Sequence, residues 1–131
     1  MWFKGCLHIH TSSGDGVLSP EEICKWYKKH GYDFIAFTDH NKVTNASHPF
    51  GDNFLILANS IEFGRFETDL HISGIALDSA YMERSACGFQ DNIDLIVKHN
   101  GIATVNHPNW KWMACNFGQL LKLRNYHGIE I

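Results

Sequence analysis

The 131-residue sequence has no run of about 18 apolar residues, and its start, Met1 to His8, leads straight into a strand-like segment. Neither a membrane span nor a signal peptide is expected. It has no basic excess either: 11 Lys and Arg against 14 Asp and Glu give a formal charge of -3 and a pI near 6.3. That balance lacks the electrostatic footprint of a typical nucleic-acid binder, although a nucleotide end could still be held locally. The four cysteines, Cys6, Cys24, Cys87 and Cys115, form no Cys-x-x-Cys pair. A zinc ribbon or redox motif is disfavoured, and reduced thiols in a cytoplasmic protein fit better. No internal repeat, linker or low-complexity stretch interrupts the chain, so residues 1–131 read as a single domain. With 44% hydrophobic and 19% charged residues, the composition is that of a globular chain. At this size folding buries roughly two-thirds of the unfolded surface, enough for a core without disulfides.

Hydrophobic patterning divides the chain into alternating elements. Lys4 to His10 reads as a short buried strand, followed by a polar loop from Thr11 to Leu18. Ser19-Pro20-Glu21-Glu22 is a helix start: Ser19 caps, Pro20 suits the first helical position and Glu22 completes a capping box. That helix should end near His30 at Gly31. Phe34 to Phe37 is a continuous apolar run, the pattern of a strand covered on both faces. Phe54 to Phe63 forms the next strand region and Leu70 to Leu77 its neighbour, of undetermined direction. A helix is predicted over Phe89 to His99, a strand over Ile102 to Asn106, a helix over Phe117 to Arg124, and the beginning of a strand at Gly128-Ile129-Glu130-Ile131. Strands alternating with helices imply an α/β fold, either an open doubly wound sheet or part of a barrel.

What the sequence does have is nine histidines, and their placement matters more than their number. His8 and His10 sit two apart at the end of the first strand, so their imidazoles project to one face at the sheet's carboxyl edge. This is the edge where α/β folds build their sites. Asp15 lies in the glycine-flanked loop that follows, able to fold back over that edge. Thr38-Asp39-His40 ends the second strand, Glu62 the third, His71 lies in the next, and His107 closes Asn106-His107-Pro108. Five successive strands thus each offer a metal-ligating side chain near one end. Asp39 either orients His40 or, because adjacent strand residues face opposite ways, serves a different ligand. His30, His48, His99 and His127 fall outside these strand ends and read as surface residues.

His8-Ile9-His10-Thr11, Asp15-Gly16 with Pro20-Glu21-Glu22, Thr38-Asp39-His40, Ile61-Glu62 with Leu70-His71-Ile72, and Asn106-His107-Pro108 together resemble the PHP (polymerase and histidinol phosphatase) family, in order and across the whole chain. The resemblance implies a distorted seven-stranded, TIM-like (β/α) barrel whose carboxyl edge holds two or three divalent ions of zinc, manganese or iron. Carried over by position, His8, His10, Glu62 and His107 are ligands of the first metals, with Glu62 as the bridging carboxylate. Asp15 and His40 share a site, and His71 is a further ligand. Gly128-Ile129-Glu130 resembles the strand before the family's last motif, an Asp-x-His pair that the sequence does not reach. The barrel is therefore expected to be incomplete at its C-terminus, with an exposed edge after Glu130 that invites a second copy or a partner subunit.

The activity implied is hydrolysis of phosphate esters by a metal-activated water. His8, His10, Asp15, His40, Glu62 and His107 carry the reaction, and the substrate is a small phosphorylated molecule or a nucleotide end. Mixed imidazole and carboxylate donors agree with zinc, manganese or iron rather than magnesium or calcium. The rival readings are a non-catalytic metal-binding PHP module and an amidohydrolase-type C–N hydrolase. Complete ligand positions favour catalysis over the former, and Thr38-Asp39-His40 with Glu62 favours the PHP pattern over the latter. Lys42, Arg65 and Lys111 are loop cations within reach of a substrate phosphate. Trp110 and Trp112 either stack a planar ring above the site or anchor their loop.

Overall fold

The computed structural model describes residues 1–46, 51, 53–64, 70–79, 81, 88–110 and 115–131. Arg65, Lys111, Trp112, His48 and Cys87 lie outside these residues. Helices and strands mix in a chain built on two sheets. β1 (Gly5–Cys6), β2 (Phe34–Ile35) and β3 (Leu55–Ile56) form a parallel sheet in that order. β4 (Ile61–Phe63), β5 (Ile72–Ile75), β6 (Ile102–Val105) and β7 (Gly128–Ile129) form the other, in which β5 runs antiparallel to both neighbours and β6 pairs parallel with β7. Each sheet has a helix against it. α1 (Pro20–Lys29) puts buried Ile23 and Cys24 against Ile9, Ile35, Phe37 and Phe54. α2 (Phe89–Lys98) puts Ile93 and Ile96, three apart on one helix face, against Ile61, Phe63, Ile72, Ala103 and Val105.

The start of α1 follows the local rule. The Ser19 side chain accepts from the Glu22 amide, and Glu22 Oε2 accepts the Ser19 amide at 2.9 Å. Other elements differ from the sequence reading for physical reasons. The ladder of the first strand stops at Cys6, because beyond it the Ile9 amide turns to Thr38 Oγ1 at 3.1 Å. The segment from Phe54 to Phe63 is two strands in two sheets. Asn59, at φ 53°, breaks it, a left-handed position that asparagine tolerates. The last helix, α3 (Phe117–Leu120), is capped by Asn116 but buries no residue, and it gives way to tight i to i+3 turns ending at Leu123. The regular alternation of strand and helix also fails between β4 and β5, which form an antiparallel pair with no helix between the described parts of their connection. Among the described residues no ladder joins β7 to β1, so the two sheets are not shown to close into a barrel.

Backbone pairing joins the two sheets beside the ends of β2 and β4. His40, beyond the end of β2, makes an isolated parallel bridge to Glu62 in β4, with the Asn41 amide donating to the Glu62 carbonyl at 2.8 Å. Asp39 just before it is fully buried and serves the neighbouring turn: Oδ1 accepts the Thr11 amide at 2.6 Å and Oδ2 the Thr11 hydroxyl at 2.7 Å. It thus pins the chain where it leaves His10. Asp39→Ala would leave both donors buried and unpaired, at about 1–3 kcal/mol each, so the variant should lose at least about 2 kcal/mol of stability. A urea unfolding midpoint equal to that of the unmodified chain would refute this role.

Candidate metal centre

Glu62 is the middle of the site and has no exposed surface. Its Oε2 lies 3.0 Å from His10 Nε2, 3.3 Å from His8 Nε2 and 3.3 Å from His40 Nδ1. Its Oε1 lies 3.1 Å from His71 Nδ1 and 3.6 Å from His107 Nε2, and accepts from Asn106 Nδ2 at 2.6 Å. One carboxylate therefore faces five imidazoles. Asp15 closes the mouth, its Oδ1 2.9 Å from His10 Nδ1 and its Oδ2 3.8 Å from His40 Nε2. Together with Trp110, Glu130 and Ile131 these residues line a cavity of about 540 Å³.

Backbone geometry explains the convergence. His8 and His10 follow β1 two residues apart, and their Nε2 atoms are 3.0 Å apart. His71 precedes β5, yet it joins residues that follow other strands, because β5 is reversed: its start is registered against the end of β4 (Phe63↔Ile72) and the end of β6 (Ile72↔Val105). A side chain at position 64 would fall on the His71 ring, so only glycine fits beside it. The loop carrying Asp15 is likewise held close, because a Cβ at Gly16 would meet the backbone of His10 and Thr11.

All seven sequence-derived positions, His8, His10, Asp15, His40, Glu62, His71 and His107, come together in this cavity. Two residues were missed. Asn106, nearly fully buried, ties Glu62 Oε1 to Ser73 Oγ, the latter contact being 2.7 Å. Its place before His107 was the only sequence signal. Glu130 reads from sequence only as part of a strand, but its carboxylate reaches His8 and the His107 amide. Of the loop cations, Lys42 donates to the Ser13 carbonyl at 3.3 Å, on the loop that bears Asp15. Trp110 is half exposed, with its ring edge-on to His107.

The electrostatics follow from one buried anion. Burial favours neutral Glu62, but hydrogen bonds from His10, His107, His71 and His8 overcome it and hold the carboxyl far below the usual range. Burial likewise opposes charge on His8, yet Glu62 and Glu130 outweigh it and raise its pKa. Glu62 raises that of His10 against the opposing effect of burial. For His40 burial wins, helped by neighbouring His10 and His71, and its pKa is lowered.

The donor set fits a divalent metal. His71 Nε2 and His107 Nδ1 are buried with no hydrogen-bond partner among the described residues, and such atoms are costly unless something satisfies them. Ligands about 2.0–2.1 Å from a tetrahedral ion stand about 3.3 Å from one another, close to the 3.0 to 3.3 Å among His8 Nε2, His10 Nε2 and Glu62 Oε2. Among the described residues donor atoms converge in four groups: His8, His10 and Glu62; His40, Glu62 and His71; His10, Asp15 and His40; and His8, His107 and Glu130.

Protons and a metal compete for the same lone pairs. Because the His8 and His10 pKa values lie above 6.5, metal affinity should already be falling as pH drops toward 6.5, and should fall further below it. Calorimetry in buffers of different ionisation enthalpy should show proton release on metal uptake, and its absence at pH 7 would contradict this. Gly64→Ala should push the His71 ring aside and weaken metal uptake by about tenfold or more without altering any ligand. An unchanged affinity would show that His71 is not a ligand.

Comparison with known proteins agrees with this geometry. The PHP domain family model matches residues 7–123. No curated protein matches the sequence. A two-domain protein from Bacteroides vulgatus, described as containing a predicted PHP-like metal-dependent phosphoesterase, superposes with a TM-score of 0.69 at 19% identity. The match covers 97% of this chain and 43% of that one, so this chain spans less than half its length. An amidohydrolase from Chromobacterium violaceum, with bound sulfate and no metal, superposes with a TM-score of 0.67 at 15% identity, over 96% of this chain and 76% of that one. At these identities the two structures speak for a shared fold. No helix among the described residues is long and apolar enough to cross a membrane. With the family model matching residues 7–123, a span that holds all seven sequence-derived site positions, the chain belongs to the PHP domain family.

Proposed function

We propose that this chain is a metal-dependent phosphoesterase that acts on a small phosphorylated molecule or a nucleotide end, on the distorted (β/α)7 barrel framework of its family. One observation carries the reading: the fully buried Glu62 carboxylate presents its two oxygens to different sets of imidazoles, the arrangement needed to bridge two ions. His8 and His10 with Glu62 would hold one ion, and His40 and His71 with Glu62 another. His10, Asp15 and His40 offer a third set, with His107 beside the first two. Zinc, manganese or iron suits these donors. When bound, such ions act as Lewis acids toward a phosphoryl oxygen and bring the pKa of a water down to near neutrality.

The chain's own residues do the rest. Buried Glu62 contributes negative charge where two cations would otherwise repel, and Asn106 holds its orientation. Exposed Asp15 and half-exposed Trp110 stand at the cavity wall, where the ester's organic group would lie. Lys42, two residues after His40 and tied to the Ser13 carbonyl of the loop that bears Asp15, is a candidate to meet a phosphate.

Phosphate release from an aryl phosphate should require zinc or manganese and should disappear with a chelator. Glu62→Gln should lower metal content and reduce turnover by at least about 100-fold, more than any single histidine substitution, because it removes charge from two ions at once. The Chromobacterium neighbour keeps C–N hydrolysis in view as the second reading. A loaded protein that cleaves an aryl amide but not the aryl phosphate would establish that alternative, and one that binds metal but cleaves neither would establish a non-catalytic module.

A further inference from the structure

Glu130 follows β7 and reaches the cavity rim because the β6–β7 ladder (Thr104↔Gly128, Val105↔Ile129) continues through the Glu130 amide, which donates to the Val105 carbonyl at 2.9 Å. Its two carboxylate oxygens stand 3.2 and 3.1 Å from His8 Nδ1, and Oε2 also accepts the His107 amide at 3.1 Å. These partners come from the ends of β1 and β6, so Glu130 links three strand ends.

A neutral imidazole donates from one nitrogen and accepts, or ligates, with the other. An ionised carboxylate only accepts, so beside Glu130 the hydrogen of His8 belongs on Nδ1. The lone pair is then on Nε2, the nitrogen that lies 3.0 Å from His10 Nε2 and 3.3 Å from Glu62 Oε2. The second contact acts on backbone. His107 has φ 26°, outside the ordinary regions for a residue with a side chain, and such a conformation persists only where neighbours impose it. The hydrogen bond from the His107 amide to Glu130 is one such restraint.

We propose that Glu130 is a positioning residue: it sets the tautomer of His8 and restrains the backbone of His107, so that both rings face Glu62. The inference rests on the reading of His8 as a metal ligand and extends it to a residue outside that ligand set. Glu130 is not itself a ligand in this account, because its oxygens are taken up by two N–H donors, one of them the His8 nitrogen facing away from Glu62.

The test compares wild-type protein with Glu130→Gln, which keeps an accepting oxygen and loses the charge, and Glu130→Ala, which loses both. Zinc affinity is read by competition with a chromophoric chelator, and the His8 tautomer by long-range proton–nitrogen correlation spectra of the zinc-free protein at alkaline pH, where the ring is neutral. E130A should bind zinc about 10–100-fold more weakly and lose the single Nδ1–H form of His8. E130Q should keep that tautomer and stay much closer to wild type in affinity. The inference is overturned by an E130A protein with wild-type affinity and tautomer. It is equally overturned if E130Q loses affinity as severely as E130A while keeping the Nδ1–H form, since Glu130 would then be a ligand. Should E130A fail to fold, the isosteric E130Q decides by the same two readouts. Wild-type protein that takes up no zinc overturns the metal-dependent reading and this inference with it, whereas zinc uptake unaffected by either substitution overturns this inference alone.

Discussion

Glu62 is an ionised carboxylate with no access to water, and the site is organised around that cost. Moving such a charge into a protein interior costs several kcal/mol even after relaxation, so the surroundings must supply compensating charge and hydrogen bonds. The Asn106 amide supplies one neutral hydrogen bond, and five imidazoles can supply positive charge either as protons or by gathering cations. Compensation of the second kind joins stability to function, because whatever neutralises Glu62 also completes the site. The same residue joins the sheets, since its backbone makes the bridge to His40 and accepts from Asn41.

The second organising feature is the reversed strand. In an all-parallel arrangement the ligands would all follow their strands. Here β5 runs backward, so the residue before it, His71, lands among residues that follow β2 and β6. The reversal also sets Ser73 beside Asn106, which gives the amide a second anchor and leaves its orientation toward Glu62 little freedom. Packing of α2 on β5 and β6 through Ile93 and Ile96 keeps this register, because a one-residue slip would turn His71 and its neighbours to the opposite face. The polar rim thus depends on an apolar layer beneath it.

The parts that could be read from sequence are those governed by local rules. The capping box at Ser19 and Glu22, the two-residue period that pairs His8 with His10, and the apolar run at Phe34–Phe37 each depend on near neighbours in the chain, and each is found in the structure. The positions of His40, Glu62, His71 and His107 were legible for a related reason: a site at one edge of a sheet must draw on strand ends, and these are recognisable by their patterning, whereas Asp15, in a loop, was marked by the family resemblance. The sequence alone therefore marked most of the side chains that gather, but not Asn106 or Glu130.

Tertiary structure decided how they gather. The direction of β5 depends on pairing with β4 and β6, a choice between distant backbones that period-two patterning does not encode. Phe54 to Phe63 reads as one strand region because its hydrophobicity is nearly continuous, but Asn59 divides it between two sheets, each of which needs its own apolar cover. Asp39 has the residue type and position of a partner for His40, yet its carboxylate goes to Thr11, whose amide and hydroxyl are brought near only by folding. Glu130 shows the same limit from the other direction. Nothing local marks it as different from any other strand glutamate, and only the ladder from β6 to β7 carries it across 122 positions of sequence to His8.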